Sequence, residues 1–279
     1  MASLRFLLLL LVTFATACAE PITVMSYNIR YDTASDGVNQ WSNRKDRVAA
    51  LIRRNRPDLV GLQEALRTQL DDLLTRLPDY DVYGVGRDDG MTKGEYSAIL
   101  VRRTRFEVRA SDTFWLSDTP AVAGSKGWDA ALPRVATWVR LSDRTTGREF
   151  LLLNTHFDHR GVQARIESAA AIKAHLTSVH AATPLPIIMT GDLNVEPTSE
   201  AFVALTAGGF LRDARPAGDT QPTSLGFEAS SARVSIIDYV LHNAGFTADA
   251  FQVITDHDGR YFPSDHLPVV ARMAFAPGP

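Results

Sequence analysis

Short apolar segments typical of β-strands alternate with amphipathic segments typical of helices along most of the chain. Residues 22–29 and 59–62 have the composition of buried strands, whereas the apolar residues of 48–52 recur at helical spacing until Pro57 ends that helix. The leucines of 66–77 then mark one face of a second helix. Because no internal repeat or linker-like stretch divides the sequence, this alternation predicts a single domain in which helices cover β-sheets.

The same alternation continues towards the end of the chain. Residues 162–179 predict a long amphipathic helix, 198–205 predict a short one, and a polar stretch at 143–147 predicts a hairpin between two strands. The further predicted strands are residues 97–101, 106–110, 135–141, 150–154, 186–190, 235–241, 248–253 and 268–275. Strands and helices are thus mixed throughout, which favours an α+β arrangement over an all-helical or all-strand fold.

Residues 1–19 have the pattern of a targeting signal rather than of a folded element. Arg5 supplies a positive start, residues 6–14 form an unbroken apolar stretch, and Ala17-Cys18-Ala19 has the small residues that precede a signal-peptidase cut. We therefore expect a signal peptide at 1–19, a mature domain at 20–279 and a secreted or periplasmic location. Lipid attachment at Cys18, the chain's one cysteine, is the alternative interpretation.

The net charge limits how the domain can hold a phosphorylated partner. Lysine and arginine together number 29 against 32 acidic residues, which gives a charge of −3 at pH 7. Proteins that bind nucleic acid mainly through charge are strongly basic, and this chain is not. A phosphorylated partner therefore has to be recognised by a local site.

Polar side chains follow the predicted buried strands at the points where those strands end. They are Asn28 after TVMSY, Glu64 after LVGLQ, Asp192 and Asn194 after PIIMTG, and Asp265 within PSDHLP. Each of them, taken singly, is also explained as a cap of a helix or turn, an interpretation that fits Asn194 and Asp158 best and Glu64 worst. Because the carboxyl ends of neighbouring strands meet at one edge of a sheet, we expect these side chains to converge there.

A cluster of carboxylates in a dry cleft requires a cation. Two carboxylates about 4 Å apart repel each other by roughly 4 kcal/mol at an effective dielectric constant near 20. Hard oxygen ligands favour magnesium, manganese or calcium over zinc. We therefore expect Mg²⁺ or Mn²⁺ as the cofactor and metal-assisted attack of water on a phosphoester as the reaction.

Seven motifs occur along the chain in the order MSYNIRYD, DLVGLQEA, GEYSAIL, LLNTHFDH, IIMTGDLNVEP, SIIDYVL and PSDHLPV. In this order and at this spacing the sequence resembles the endonuclease/exonuclease/phosphatase superfamily, essentially over residues 22–274. The resemblance implies an α/β (α+β) fold, a four-layer sandwich of two mixed β-sheets packed face to face with helices on both outer faces. The segments NIRYD, SKGWDA and THFDHRGVQAR are similar to secreted bacterial members of the superfamily.

The resemblance also implies roles for the polar residues at the strand ends. Glu64 matches the principal metal ligand, and Asn28 and Asp265 match residues that complete or support the metal site. Asp192 matches the carboxylate that positions and deprotonates the attacking water. Asn194 matches the amide that orients water and phosphate.

Two histidines and their acidic partners complete the implied site. His266 matches a residue that binds the non-bridging phosphate oxygens as a donor or acid, while Asp238 would hold its other nitrogen. His156 would stabilise charge growing on the phosphorus centre, with Glu95 as its partner. The resemblance thus divides the site into metal ligands, a base and phosphate-binding groups.

Some arginines and tryptophans near these motifs have two interpretations. Arg30, Arg134 and Arg165 lie beside motifs and are candidates either for phosphate contact, because a guanidinium matches an oxyanion, or for solvated surface positions. Trp128 and Trp41 are candidates to line a substrate cleft.

Two further patterns favour ordinary structural interpretations. The basic residues of 44–54 favour the outer face of a helix over a track for a polyanion. His156 and His159 resemble part of a zinc motif, but the position two residues before His156 is Asn154, which weakens that interpretation.

The implied function is that of a secreted, metal-dependent phosphoesterase, a hydrolase that cleaves a phosphodiester or phosphomonoester by attack of water. The substrate is then a phosphorylated small molecule, a lipid or a nucleic acid. A nuclease acting on DNA or RNA and a non-catalytic module that recognises phosphate or a protein are the alternatives. No obligate protein partner is evident in the sequence, and we expect a monomer.

Overall fold

The computed structural model of the protein describes residues 20–232 and 234–277, which form two six-stranded mixed β-sheets with helices on both outer faces. The predicted signal peptide at 1–19 lies outside the described residues. Within the described ranges, every helix is too short or too polar to span a lipid bilayer.

The strands follow one another along the chain as twelve elements. They are β1 (Ile22–Asn28), β2 (Leu59–Ala65), β3 (Tyr80–Tyr83), β4 (Tyr96–Arg102), β5 (Phe106–Trp115), β6 (Val135–Asp143), β7 (Glu149–His156), β8 (Ile187–Asp192), β9 (Arg212–Asp213), β10 (Asp238–His242), β11 (Phe246–Val253) and β12 (Val269–Phe275). The first sheet has the order β11-β12-β1-β2-β4-β3, and the second has the order β5-β6-β7-β8-β10-β9.

The centres of the two sheets have the same pattern of strand directions. In the first sheet the parallel pair β1-β2 lies between the antiparallel strands β12 and β4. In the second sheet the parallel pair β7-β8 lies between the antiparallel strands β6 and β10. Because β12 pairs with β1, the last strand of the chain completes the sheet that the first strand begins.

The helices cover the outer faces of both sheets. They are α1 (Trp41–Asn55), α2 (Arg67–Arg76), α3 (Val162–Ala182) and α4 (Glu200–Thr206). Successive residues of β1 point to opposite faces, so that Val24 packs in the core between the sheets while Met25 packs under α1 and α2. The apolar residues of α3 and α4 pack on the far side of the second sheet. The predicted four-layer sandwich is thereby confirmed.

A fully buried asparagine joins the two sheets below their shared edge. The Nδ2 atom of Asn154 donates to the backbone oxygens of Leu62 at 2.8 Å and Ala98 at 2.9 Å. Its Oδ1 atom accepts from Gln63 Nε2 at 2.7 Å and from Thr190 Oγ1 at 3.0 Å. We call the side chains of Gln63, Asn154 and Thr190 the inter-sheet clasp. The clasp fixes how the carboxyl ends of β2 and β7 lie relative to each other.

The clasp requires a glycine in the facing strand. A Cβ atom at Gly61 would lie 2.1 Å from Thr190 Oγ1 and 2.6 Å from Asn154 Oδ1. Both distances are far below van der Waals contact, so the sheets approach this closely only because position 61 has no side chain.

The first helix differs from its prediction at two residues. Trp41 does not line a cleft, because its side chain is buried and its Nε1 atom donates to Asp72 Oδ2 at 3.0 Å. Arg44 does not lie on the outer face, because its guanidinium is buried and donates to the backbone oxygens of Ile29 and Arg30. Arg44 thus satisfies backbone oxygens of the loop that follows β1, whereas Trp41 joins α1 to α2.

Candidate active site

The carboxyl ends of the two parallel pairs meet at one end of the sandwich. Asn28 ends β1, Glu64 lies near the end of β2, His156 ends β7 and Asp192 ends β8. The Nδ2 atom of Asn28 donates to Glu64 Oε1 at 3.1 Å and to Asp192 Oδ2 at 2.9 Å. One amide thus connects a carboxylate from each sheet.

Several residues of this edge have a left-handed backbone conformation. Arg30 has φ 56°, Glu64 has φ 60° and Asn194 has φ 51°, and none of them is a glycine. Such conformations cost energy for residues with a side chain and accumulate at functional sites. At Glu64 the strained residue coincides with a shift in the pairing of β2 with β4, which turns its carboxylate away from the ladder.

A guanidinium lies against two of the predicted metal ligands. Arg30 NH1 is 3.8 Å from Glu64 Oε2, and Arg30 Nε is 4.0 Å from Asp265 Oδ2. The same guanidinium forms a bidentate pair with Asp36, with both distances at 3.1 Å. The backbone N–H of Arg30 donates to Asn28 Oδ1 at 2.9 Å, so both polar atoms of the Asn28 amide have protein partners. Arg30 is therefore part of the site rather than a solvated surface residue.

Burial and mutual repulsion shift the pKa values of the acidic groups. Burial, with a further contribution from Asp238, raises the pKa of Asp192 to about 7. Burial also raises the pKa of Asp265, and the nearby charge of Glu64 adds to that shift. Both carboxylates are therefore harder to ionise than an exposed aspartate, and a bound cation would favour their charged forms.

His266 is paired with a buried carboxylate. Its Nδ1 atom lies 2.9 Å from Asp238 Oδ2 and 3.7 Å from Asp192 Oδ2. Burial lowers the pKa of His266, but the charges of Asp238 and Asp192 outweigh burial and leave it well above the ordinary value. The imidazole is therefore protonated and charged at neutral pH.

His156 has the opposite environment. Its Nε2 atom lies 3.0 Å from Asn194 Nδ2 and 3.5 Å from Asp192 Oδ2, and its Nδ1 atom lies 3.8 Å from Glu95 Oε2. Burial and the positive charges nearby, among them Arg87, lower its pKa well below the ordinary value. His156 is therefore neutral at physiological pH.

A buried arginine beside His156 was not singled out by the sequence. Arg87 holds Glu95 by a bidentate pair, with distances of 2.7 and 2.8 Å. It lies in the loop between β3 and β4 and belongs to none of the seven motifs. The one signal in the sequence is the GEYSAIL motif, which places Glu95 in the interior and so implies a buried cation nearby.

The remaining arginine and histidine candidates have structural partners. Arg134 is buried and its Nε atom lies 3.3 Å from Asp158 Oδ2, so the surface interpretation of Arg134 is wrong. Arg134 NH2 donates to His159 Nδ1 at 3.0 Å, so this nitrogen of His159 has a protein partner. Arg165 NH1 donates to the backbone oxygen of Asp158 at 3.0 Å.

The acidic residues fit a divalent cation. Asp192 and Asp238 are buried, and no lysine or arginine among the described residues lies within 4.0 Å of either carboxylate. Asp238 Oδ1 is buried without a hydrogen-bond partner. Two buried carboxylates that share a single histidine, with one oxygen unpartnered, are suitable donors for Mg²⁺ or Mn²⁺.

Two groups of residues are able to hold such an ion. Ligand atoms of Asp192, Asp238 and His266 lie within 4.8 Å of one another, but a metal there would displace the hydrogen bond between His266 and Asp238. Glu64 and Asp265 offer carboxylate oxygens without breaking that bond. We therefore favour Glu64 and Asp265 as ligands.

A large cavity lies away from these residues. Its volume is about 910 Å³, and its lining includes Tyr83, Phe114, Trp138 and His175 from the edge strands and α3. None of the predicted site residues lines it. The predicted site residues and this cavity are therefore separate features of the protein.

Comparisons with known proteins agree with this geometry. The model of the Endonuclease/Exonuclease/phosphatase family matches residues 25–266. A protein of that family from Bacteroides thetaiotaomicron is 37% identical, with a TM-score of 0.87, covering 92% of this chain and 98% of that one. A mannosyl-6-phosphatase from the same organism is also 37% identical, with a TM-score of 0.85, covering 91% of this chain and 100% of that one.

A more distant structure shares the fold alone. The catalytic domain of human nocturnin, with a bound sulfate anion, is 21% identical, with a TM-score of 0.74, covering 92% of this chain and 95% of that one. The family match, which spans most of the chain, and the two bacterial structures carry the assignment. The chain therefore belongs to the endonuclease/exonuclease/phosphatase family of phosphoester hydrolases.

Proposed function

We propose that this chain is an exported, divalent-metal-dependent phosphatase that hydrolyses a phosphomonoester on a sugar by attack of water. The observation that carries the proposal is the cluster of Asn28, Glu64, Asp192 and His266 at one edge of the sandwich. This cluster occurs in a chain that is 37% identical, along nearly its whole length, to a mannosyl-6-phosphatase.

Asp192 has the properties of a general base. A carboxyl group whose pKa is raised to about 7 by burial and by Asp238 takes up a proton from water more readily than an exposed aspartate. Its Oδ1 atom accepts from the backbone N–H of Asn194 at 2.9 Å, which fixes the direction of the other oxygen. The other oxygen of Asp192, Oδ2, accepts from the Asn28 amide at 2.9 Å.

Glu64 and Asp265 would hold the cation. The backbone N–H of Tyr31 donates to Glu64 Oε2 at 3.2 Å and the Asn28 amide donates to Oε1, so the Glu64 carboxylate is held from both sides. When bound, a divalent ion neutralises charge on a phosphoryl oxygen and favours attack of water at phosphorus. Asn28 then acts by orienting the Glu64 and Asp192 carboxylates.

His266 would bind the phosphate as a charged donor. Because its Nδ1 atom is engaged with Asp238, the second proton of the imidazolium lies on Nε2 and is available to a non-bridging phosphate oxygen. A charged donor of this kind strengthens as negative charge develops in the transition state.

A small phosphorylated substrate fits the charge of the chain better than a nucleic acid does. The net charge of −3 provides no general attraction for a polyanion. The proposal of export rests on the sequence pattern of Arg5 and the apolar residues 6–14.

The test compares phosphomonoesters with phosphodiesters under controlled metal conditions. We expect p-nitrophenyl phosphate and mannose 6-phosphate to be hydrolysed with Mg²⁺ or Mn²⁺, and bis(p-nitrophenyl) phosphate, DNA and RNA to be hydrolysed far more slowly. Excess chelator should abolish turnover. Full activity in chelator would contradict the metal dependence, and faster cleavage of the diester or of nucleic acid would contradict the phosphomonoesterase assignment in favour of a nuclease or diesterase.

Two variants separate a catalytic role from a structural one. Asp192→Asn should lower turnover by several orders of magnitude, whereas Asp213→Asn, a matched change of a distant carboxyl group in β9, should not. Binding of mannose 6-phosphate without turnover of any substrate in the panel would identify a non-catalytic module and refute the proposal.

A further inference from the structure

The amide of Asn194 is held by two neighbours. Its Nδ2 atom lies 3.0 Å from the backbone oxygen of Phe157 and 3.0 Å from His156 Nε2. A carbonyl oxygen only accepts hydrogen bonds, so the amide atom that faces Phe157 has to be the NH₂ group. One amide hydrogen therefore points at Phe157 and the other at His156.

This orientation determines the tautomer of His156. An NH₂ group only donates, so the Nε2 atom opposite it has to be an acceptor and carries no proton. The proton of the neutral ring then lies on Nδ1. That atom is buried, has no hydrogen-bond partner among the described residues, and faces Glu95 Oε2 at 3.8 Å. Glu95 is in turn held by Arg87.

The other atom of the Asn194 amide points elsewhere. Among the described residues, Asn194 Oδ1 has no protein partner and is not one of the buried unpartnered atoms. It therefore remains accessible as a hydrogen-bond acceptor. His156 Nε2 lies 3.0 Å from the Asn194 Nδ2 atom and 3.5 Å from Asp192 Oδ2, so the Asn194 amide lies beside the proposed base.

We propose that neutral His156 is a positioning residue: it accepts from the Asn194 amide and so presents Asn194 Oδ1 as an acceptor for the attacking water. This role replaces the direct stabilisation of phosphoryl charge that the family resemblance implies for His156. It rests on the proposed function for the identity of the water, whereas the tautomer and the amide orientation rest on geometry alone.

The competing arrangement requires a proton on His156 Nε2. That proton would face the NH₂ group of Asn194 at 3.0 Å, so that two donors would point at each other. Rotating the amide to relieve this contact would bring Asn194 Oδ1 against the backbone oxygen of Phe157. Arg134 and Arg87 also disfavour an additional positive charge on the ring.

The tautomer is measured without any activity assay. Two-bond ¹H–¹⁵N correlation spectra of the folded protein with ¹⁵N-labelled histidine, recorded at neutral pH with Mg²⁺ and assigned with the His156→Gln variant, report both ring nitrogens. We expect a neutral His156 ring with a protonated Nδ1 and a bare Nε2. A proton on Nε2, or on both nitrogens, overturns the inference even if the protein proves to be an active phosphatase.

Kinetics then test the positioning role itself. His156→Ala should lower kcat for p-nitrophenyl phosphate by about 100-fold, the order expected when a reacting group is misplaced, with KM and the inhibition constant of inorganic phosphate changed less than about twofold. His156→Gln supplies an acceptor oxygen near the position of Nε2 and should recover most of kcat. His257→Ala, a change of an exposed histidine, is the matched control.

A different pattern would refute the positioning role. If His156 contacts phosphate directly, both replacements should weaken inhibition by inorganic phosphate to the same extent, and the glutamine should not recover kcat. If no variant and no condition gives turnover, the proposed function fails, while the tautomer measurement still decides the amide orientation.

Discussion

Replacing Asn154 by alanine should destabilise the domain by about 2 kcal/mol. The side chain is fully buried and donates to the backbone oxygens of Leu62 and Ala98, both of which lose this donor in the variant. Leu62 and Ala98 are paired across β2 and β4, so each oxygen keeps a backbone donor, and two lost hydrogen bonds of about 0.5–1.5 kcal/mol each give roughly 1–3 kcal/mol. The deletion also leaves space between the sheets that no other side chain fills.

The other two hydrogen bonds of the inter-sheet clasp add little to this sum. Gln63 Nε2 keeps Ser26 Oγ as an acceptor at 3.2 Å, and Thr190 Oγ1 keeps the backbone oxygen of Leu153 at 3.5 Å. Their donors are therefore not left unsatisfied when Asn154 is removed.

Urea unfolding followed by fluorescence measures this loss as a change in the free energy of unfolding at constant m value. Asn43→Ala, which changes an exposed asparagine, should alter that free energy by less than about 0.5 kcal/mol. A loss below about 0.5 kcal/mol for Asn154→Ala, in a variant that keeps its native spectrum, would refute the reasoning about the two lost hydrogen bonds.

Three further predictions test the packing, the electrostatics and the metal ligands. Gly61→Ala should cost about 2 kcal/mol because its Cβ would lie 2.1 Å from Thr190 Oγ1, and adding Thr190→Ala should recover part of that loss in thermal unfolding. In metal-free protein, the free energy of unfolding should fall as the pH rises from about 4 to about 7, because burial and Asp238 raise the pKa of Asp192 from 3.8 to about 7 on folding. The Asp192→Asn variant should lose part of this dependence, and an unchanged slope of the free energy of unfolding against pH would contradict the assignment. Glu64→Gln should weaken Mn²⁺ binding at least about tenfold in calorimetric titration, and equal affinity would exclude Glu64 as a ligand.

The sequence predicted the central strands better than the edge strands. β1, β2 and β8 are buried on both faces, so each appears as a continuous apolar run. β3 and β9 lie at sheet edges, are four and two residues long, and have no such run. β5 continues past its predicted end at residue 110, because its exposed edge residues lack the apolar alternation that marks a strand.

The site residues that lie at strand ends could be predicted from the sequence. The residues that act through tertiary contacts could not. Glu64 and Asp192 follow apolar runs, so their positions in the sequence already indicated a shared edge. Arg87 lies in a polar loop, and its place in the site depends on its contact with Glu95, which the sequence does not indicate. In the sequence, Asn154 was considered only as the position where a zinc motif would have a histidine. In the structure its side chain joins the two sheets.

The pairing of β12 with β1 has a consequence for biosynthesis. A nascent chain on the ribosome holds β1 long before β12 has been made, so the first sheet is left with an unpaired strand until translation is nearly complete. Asp265 and His266 immediately precede β12 and also emerge late. A growing polypeptide therefore lacks both a completed first sheet and two of the proposed site residues until its final residues have appeared.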